Sequence, residues 1–186
     1  MKKRGLSILL ALCMVLALLP ALGTQANAAT GGHTRAEAVA WAQSQNGATL
    51  DYDGVYGAQC VDLIKYYYAY LGDNAGYARG NANEYASNTL PSGWTRVYGD
   101  YQPGDVAVFK TNYNDYNDNG SLIMGTGSLG HVSIITEVNG GWFTSMNQNH
   151  AGHSYCESKT FHTAALQCAI RPDFVPDFNP DRKSVV

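Results

Sequence analysis

The pattern of hydrophobic and polar positions changes its period along the chain. Over residues 60–71 apolar side chains recur every three to four positions, which predicts a helix that begins at or beside Cys60. Thr34 and Glu37 form a capping box before an alanine-rich run and predict an earlier helix over about 34–45. A short third helix is predicted over 81–87. The first half of the domain is therefore expected to be helical.

In the second half the hydrophobic period shortens to two residues, which is typical of strands. The alternation is clear over 105–110 and again over 131–138. Asn139 and Gly140 then separate this second run from the next apolar run, and an Asn-Gly pair in that position is a strong hairpin signal. We therefore expect an antiparallel pair of strands over 131–149.

The order of these elements indicates the fold class. Residues 166–172 predict a last strand, so helices come first and antiparallel strands follow, which is typical of an α+β fold and not of a doubly wound α/β fold. Residues 112–127 are rich in Asn, Asp, Tyr and Gly and predict a long exposed loop. This loop is either the rim of a substrate groove or an insertion without function.

Both ends of the chain differ in composition from the part between them. Residues 1–28 combine a basic start, an apolar run and a small-residue motif, which predicts a signal peptide cleaved after Ala28 and no membrane association afterwards. Residues 173–186 form a linker-like tail rich in Pro and Asp. Its last six residues resemble a non-native end, so we expect the natural chain to continue. One domain is predicted over 29–172.

Charge and cysteine content narrow the possible functions. Removal of the signal peptide leaves nine basic against fifteen acidic residues, a net charge of −6, so we expect no binding to nucleic acid. Cys60, Cys156 and Cys168 remain, and an odd number of cysteines in an exported chain leaves at least one free thiol. Either Cys156 and Cys168 pair and Cys60 is free, or all three are small buried groups.

Cys60 is the candidate nucleophile. The positive end of a helix and a nearby imidazolium both favour the reactive thiolate. Of the five histidines, His131 follows Gly130 and opens a strand, which is a rigid position that suits a general base. The predicted hairpin returns opposite His131, where Asn147 and Asn149 lie on one face. Either side chain can accept the imidazole N–H and orient the ring.

Gln59 precedes the candidate nucleophile and can add its amide N–H to the backbone N–H of Cys60 in an oxyanion hole. The spacing alone leaves this as one hypothesis among several. The alternatives are a cysteine buried in the core and a strand histidine at 131 whose hydrogen bonds are satisfied locally.

Four segments resemble the CHAP domain, the cysteine, histidine-dependent amidohydrolase/peptidase family of the papain-like NlpC superfamily. They are GAQCVDLIKYYY, PGDVAVF, GHVSIITEV and NQN. The likeness covers about Thr34 to Arg171. It implies a papain-like α+β fold with N-terminal helices packed on a meandering antiparallel sheet. It also implies cleavage of an amide bond in bacterial peptidoglycan, as an N-acetylmuramoyl-L-alanine amidase or a peptide endopeptidase.

The resemblance carries over to individual residues. Cys60 matches the nucleophile and His131 the base of a thioester mechanism that needs no organic cofactor. Many members carry a glutamate where Asn147 stands, followed by Gln-Asn, so Asn149 is the preferred orienting residue and Asn147 its rival. We expect a monomer that is secreted or associated with the cell wall. The alternatives are a catalytically silent wall-binding module and a papain-like hydrolase of another peptide.

The loop before Cys60 has the spacing of a calcium-binding loop. Positions 1, 3, 5, 7 and 12 of a twelve-residue window are Asp51, Asp53, Val55, Gly57 and Asp62. The fit is imperfect, because position 12 is not Glu and position 6 is Tyr56. Some CHAP domains bind calcium in this stretch. A structural Ca²⁺ ion is therefore expected here, with a solvated Asp/Gly turn as the alternative.

Overall fold

The computed structural model describes residues 32–72 and 74–177. The predicted signal peptide and the last six residues of the chain lie outside this part. Within it, no helix has the length and apolar character needed to cross a membrane.

Two α-helices form where the hydrophobic period predicted them: α1 spans Arg35–Ser44 and α2 spans Cys60–Tyr70. The predicted capping box starts α1: Glu37 N donates to Thr34 Oγ1 at 3.1 Å and Thr34 N donates to Glu37 Oε2 at 2.8 Å. The predicted third helix forms as a 3₁₀ segment, Ala82–Ala86. Shorter 3₁₀ segments are Ala75–Tyr77 and Thr163–Ala165.

Eight strands follow the helices. They are β1 (Thr95–Val97), β2 (Val106–Phe109), β3 (Asn114–Tyr116), β4 (Leu122–Gly125), β5 (Val132–Asn139), β6 (Trp142–Asn147), β7 (Glu157–His162) and β8 (Leu166–Arg171). Six of them form one antiparallel sheet in the order β1-β8-β2-β5-β6-β7. The hairpin predicted at Asn139 and Gly140 joins β5 to β6, and the α+β fold class is confirmed.

The segment 112–127, predicted to be a loop, contains the separate β3–β4 hairpin. One buried carboxylate ties this hairpin to the sheet. Asp115 is 3% exposed and accepts from His162 N at 3.0 Å, and its other oxygen lies 2.9 Å from His162 Nδ1. The strands are only three and four residues long, and neither Asn-Asp-Tyr nor Leu-Ile-Met-Gly alternates between apolar and polar residues, so they are too short and irregular to be read from the sequence.

The core lies on both faces of the main sheet. On one face, the buried side of α2 packs against apolar residues of β2, β5 and β8. On the other face, Phe109, Phe143 and Phe161 form a second cluster near the β3–β4 hairpin. Each fully buried side chain of this size contributes about 1.5–3 kcal/mol by leaving water. Packing on both faces holds β5 and β6 rigidly, and these strands carry one wall of the cleft described below.

The packed part of the domain extends past the predicted boundary at residue 172. Val175 N donates to His33 O at 3.0 Å, and Val175 forms a parallel bridge with Thr34. The Arg35 guanidinium lies 4.8 Å from the centre of the Phe174 ring. The first residues of the predicted tail therefore belong to the domain.

Candidate active site

The start of α2 and the start of β5 meet at a cleft of about 790 Å³. Cys60 comes from α2 and His131 immediately precedes β5, and both side chains line this cleft. Gln59 and Asn149 line it as well, whereas Asn147 lies behind His131. Residues about seventy positions apart in the chain are thus brought together by the packing of α2 on the sheet.

The turn before β5 explains the glycine that precedes His131. Gly130 has φ 75°, in the left-handed region, and a Cβ there would lie 3.2 Å from Asn83 N. Asn83 N donates to Leu129 O at 2.9 Å, and Phe109 N donates to His131 O at 3.0 Å. These backbone hydrogen bonds fix both sides of the turn, and with it the backbone position from which the His131 side chain extends.

The His131 side chain is buried, and its ring hydrogen bonds with the side-chain amide of Asn147. Its Nε2 lies 3.0 Å from Asn147 Oδ1. Asn147 Nδ2 donates to Ser145 O at 2.8 Å and to Ser145 Oγ at 3.2 Å, so its oxygen faces the ring. Nε2 therefore carries the ring proton, and Nδ1 keeps the lone pair that a general base needs.

Burial lowers the pKa of His131 to about 4, because a charged imidazolium is poorly solvated there. The Asn147 hydrogen bond opposes this shift, and the nearby His150 adds to it. The imidazole of His131 is therefore neutral at physiological pH.

The Cys60 thiol does not show the expected shift toward the thiolate. Burial raises its pKa to about 11 from the usual 9.0. Hydrogen bonds from the backbone N–H groups of Val132, Val61 and Cys60 act in the opposite direction, and the charge of Asp62 raises the pKa further. The sequence argument counted the helix dipole but not the loss of solvation, which is the larger effect here. The resting pair is thus a thiol and a neutral imidazole.

The preferred contact between Asn149 and His131 does not form. The strand β6 ends at Asn147, and Asn149 has φ 55°, so the two-residue alternation stops before Asn149. Asn149 Nδ2 instead donates to Gln59 Oε1 at 2.8 Å. The rival residue, Asn147, makes the contact with the His131 ring instead, because it is still within the strand that pairs with β5.

Gln59 lies in the cleft as expected, but part of its side chain is already engaged. Its Nε2 donates to Tyr56 O at 2.9 Å, and its Oε1 accepts from Asn149. One amide hydrogen remains for a substrate. Gln59 N donates to Asp62 Oδ2 at 2.8 Å, which caps the first turn of α2.

Gln148 was missed as an individual site residue by the sequence analysis. Its side chain is fully buried and bonds to Leu50, Gln59 and Cys156. The available signal was its position two residues after Met146, on the face of β6 that packs against the helices. A polar residue at such a position needs buried partners.

The expected alternative of a Cys156–Cys168 disulfide is wrong. Both thiols are free and buried, so Cys156 and Cys168 are small buried groups, as the other alternative stated. Cys156 Sγ donates to Gln148 Oε1 at 3.3 Å, and Cys168 lies in β8 within the helix-side core. Cys60, the third free cysteine of the described residues, is half-buried.

Three of the predicted calcium ligands cluster before and within α2. Oxygens of Asp51, Asp53 and Asp62 all lie within 4.8 Å of one another. Asp62 is 1% exposed, and its Oδ1 has no hydrogen-bond partner among the described residues. Lys65 Nζ donates to Asp53 Oδ2 and lies 3.7 Å from Asp62 Oδ1, so part of the negative charge is already offset. Val55 and Gly57, the predicted carbonyl ligands, lie in the same exposed loop.

The pKa values of Asp62 and Asp53 are shifted in opposite directions. Burial raises the pKa of Asp62, and the neighbouring charges of Asp53 and Asp51 raise it further, against the hydrogen bond from Gln59 N and the charge of Lys65. The Lys65 hydrogen bond lowers the pKa of Asp53. A buried carboxylate oxygen without a donor, beside two further carboxylates, is a donor set that fits a hard divalent cation.

A family model and curated relatives both match this chain. The family model of the CHAP domain matches residues 49–149. The chain is 32% identical over 136 residues to the D-alanyl-L-alanine endopeptidase of Streptococcus phage B30, covering 68% of this chain and 28% of that protein. It is 25% identical over 162 residues to the endolysin PlyTW of Staphylococcus phage Twort, covering 81% of this chain and 32% of that protein. The chain thus spans about a third or less of these relatives.

Solved structures show the same fold. The endolysin LysIME-EF1 superimposes with a TM-score of 0.62 at 24% identity, covering 76% of this chain and 65% of that chain. Ly7917, determined with the hydrolysing product of MDP, superimposes with a TM-score of 0.56 at 21% identity, covering 75% and 63%.

Proposed function

This chain belongs to the CHAP domain family, and from that premise we propose that it hydrolyses an amide bond of bacterial peptidoglycan. The observation that carries the proposal is the shared cleft: a thiol at the start of α2 and an imidazole at the start of β5, the latter oriented by Asn147. Cys60 is the proposed nucleophile and His131 the general base.

The neutral state of both groups determines the order of proton transfers. His131 Nδ1 takes the thiol proton as Cys60 Sγ attacks the carbonyl carbon, so the charged pair forms only during the reaction. The imidazolium then gives this proton to the leaving amine, and a thioester remains on Cys60. Water attacks the thioester with His131 again as base, which releases the acid and restores the thiol.

Backbone and side-chain N–H groups at the start of α2 are the proposed oxyanion donors. The backbone N–H of Cys60 and the remaining Gln59 amide hydrogen lie at the cleft. Preorganised donors of this kind stabilise the negative oxygen of the tetrahedral intermediate, and each is worth about 10²–10³ in rate.

The bond cleaved is proposed to lie either between muramic acid and L-alanine or within the peptides of the wall. The likeness to a protein named as an endopeptidase favours a bond within the peptides of the wall. We further propose that the predicted signal peptide exports the chain, so that it acts outside the membrane as a monomer on the cell wall.

The test is the digestion of purified bacterial peptidoglycan by the wild type and by Cys60→Ala. Clearing by the wild type and its loss in the variant are expected. Mass spectrometry of the products identifies the bond through the new amino terminus. Cys156→Ala is the matched control, because it removes a buried thiol outside the cleft. Clearing that persists in Cys60→Ala overturns the nucleophile, and binding to the wall without clearing by the wild type favours a silent binding module.

We also propose that Asp51, Asp53 and Asp62 hold a structural Ca²⁺ ion, with backbone carbonyls of Val55 and Gly57 completing the site. The buried Oδ1 of Asp62 supports this proposal, because no hydrogen bond reaches it within the described residues and the Lys65 ammonium is 3.7 Å away. The ion would supply positive charge that holds the approach to α2 in one conformation.

Calcium binding is tested by thermal unfolding. Saturating CaCl₂ is expected to raise the melting temperature of the wild type by about 5 °C or more. Asp62→Asn should lose this rise, whereas Glu137→Gln, an exposed carboxylate outside the cluster, should keep it. A wild-type melting temperature that is the same with CaCl₂ and with EGTA would overturn the site.

A further inference from the structure

Gln148 lies between two residues that hold side chains of the cleft. Asn147 contacts the His131 ring, and Asn149 contacts the Gln59 side chain. Resting on the proposed function, we propose that Gln148 is a positioning residue that sets the first peptide unit of α2, and with it the nucleophile, relative to the base. Three consecutive residues at the end of β6 would then align both halves of the active site.

The hydrogen bonds of Gln148 reach across the domain to the segment before α2. Its Nε2 donates to Gln59 O at 2.7 Å and to Leu50 O at 2.7 Å. Its Oε1 accepts from Leu50 N at 2.8 Å and from Cys156 Sγ at 3.3 Å. The side chain is fully buried, so water does not compete for these bonds.

The contact with Gln59 O has a direct consequence for the reactive centre. The carbonyl of Gln59 and the N–H of Cys60 belong to one planar peptide unit and point in opposite directions. A donor that fixes the carbonyl therefore fixes the direction of the N–H. That N–H is the proposed oxyanion donor.

The contacts with Leu50 anchor the other end of the same segment. Both the N–H and the carbonyl of Leu50 are bound by one Gln148 amide, which imitates a rung of a sheet. The exposed residues 51–57 thus lie between two fixed points, Leu50 and Gln59. Only a primary amide offers two donors and two acceptors at this size, so neither glutamate nor methionine can replace all four bonds.

The experiment compares Gln148→Met with Cys156→Ala. Both variants remove contacts of the same buried group, but only the first removes a donor from Gln59 O, which then keeps the bond from Asp62 N at 3.1 Å. For Gln148→Met we expect kcat on solubilised peptidoglycan fragments to fall by about tenfold or more while KM changes by less than about twofold. For Cys156→Ala we expect kcat within about twofold of the wild type, at a lowered melting temperature. Assays are run at a temperature where circular dichroism shows each variant folded.

The positioning role is overturned if folded Gln148→Met has a kcat within about twofold of the wild-type kcat. An equal loss of kcat in Cys156→Ala overturns it too, because the effect is then one of packing. If Gln148→Met does not fold, Gln148→Glu takes its place, since it keeps the size and the acceptors but loses both amide donors.

A second measurement separates this inference from the proposed function. The rate at which iodoacetamide alkylates Cys60 at one fixed pH, followed by mass spectrometry, needs no substrate. Release of the Gln59–Cys60 peptide unit is expected to lower this rate by about threefold or more, and Cys156→Ala should leave it unchanged. Equal rates in all three proteins overturn the positioning role. A wild type that cleaves no peptidoglycan, yet shows the expected rates, overturns the proposed function alone.

Discussion

The two walls of the cleft are built in opposite ways. On the sheet wall, His131 and Asn147 are buried, and Asn147 uses its oxygen and both amide hydrogens within β5 and β6. On the loop wall, residues 51–57 are exposed, and Tyr56 has φ 64° with 92% of its surface open to solvent. The base is therefore held by the fold itself, whereas the segment leading to the nucleophile depends on individual tethers.

The two walls differ in the contacts that fix the positions of their side chains. The sheet wall needs no further support, because packing on both faces of the sheet already fixes it. Residues 51–57 of the loop wall are all exposed, so the position of this wall depends on hydrogen bonds from Gln148 and Asn149 and on charge within the acidic cluster. Disturbing the two walls should therefore produce different kinds of effect.

The largest effect is expected from removing the reacting group of either wall. Cys60→Ala and His131→Ala should each lower kcat for peptidoglycan hydrolysis by about 10⁴-fold or more, and the double variant should be little worse than either alone, because the two groups act as a unit. The measurement is the initial rate of clearing of purified walls. Losses that multiply in the double variant would show that the two groups act independently.

The second largest effect is expected from removing the side-chain amide of Asn147, on the sheet wall, or of Asn149, on the loop wall. Asn147→Ala should lower kcat by about 10²-fold or more, because the His131 ring loses its hydrogen bond to the Asn147 amide. Asn149→Ala should cost no more than about tenfold, because the Gln59 side chain is still held by Tyr56 O. The measurement is kcat for both variants on the same substrate. The reverse order would assign the orienting role to Asn149.

The third effect is a pH dependence of stability that belongs to the sheet wall. The folded-state pKa of His131 is about 4 against a usual 6.5, so the unfolded chain takes up the proton first as the pH falls. Stability is then fully present above about pH 6.5 and is lost down to pH 4, by on the order of 3 kcal/mol. Urea unfolding should give a lower free energy of unfolding for the wild type at pH 4 than at pH 7. In His131→Gln this decrease should be smaller by about 3 kcal/mol. Equal losses in both proteins would contradict the buried neutral state.

The smallest effect is expected on the loop wall. Tyr56→Gly removes a side chain that is almost wholly exposed and relieves its left-handed backbone. The free energy of unfolding should rise by no more than about 1 kcal/mol. Urea unfolding at pH 7 provides the measurement. A clear loss of stability would mean that Tyr56 packs against the domain and that the loop wall is more rigid than its exposure indicates.

The sequence allowed correct prediction wherever the signal was local. The capping box at Thr34, the start of α2 at Cys60 and the Asn139-Gly140 hairpin each depend on neighbouring residues, and each is present. The pairing of His131 with a residue of β6 also followed from the register of that hairpin.

The rest depended on tertiary contacts that no local pattern records. Asn149 was preferred over Asn147 because of the resemblance to family members that carry a glutamate at the position of Asn147. No local pattern showed that β6 ends at Asn147 and that the backbone turns to a positive φ at Asn149. The raised pKa of Cys60 reflects the depth of the cleft and not the helix end alone. Gln148 entered the sequence analysis only as the middle residue of the NQN segment, and its partners Gln59 and Leu50 lie 89 and 98 residues earlier in the chain.

The strand order β1-β8-β2-β5-β6-β7 places β8, the last strand among the described residues, inside the sheet, between β1 and β2. While the ribosome is still translating the chain, β1 has no partner and one edge of β2 stays open until Arg171 has emerged. Nascent chains stopped before β8 should consequently remain sensitive to protease, and completion of the final strand should make them resistant in a single step.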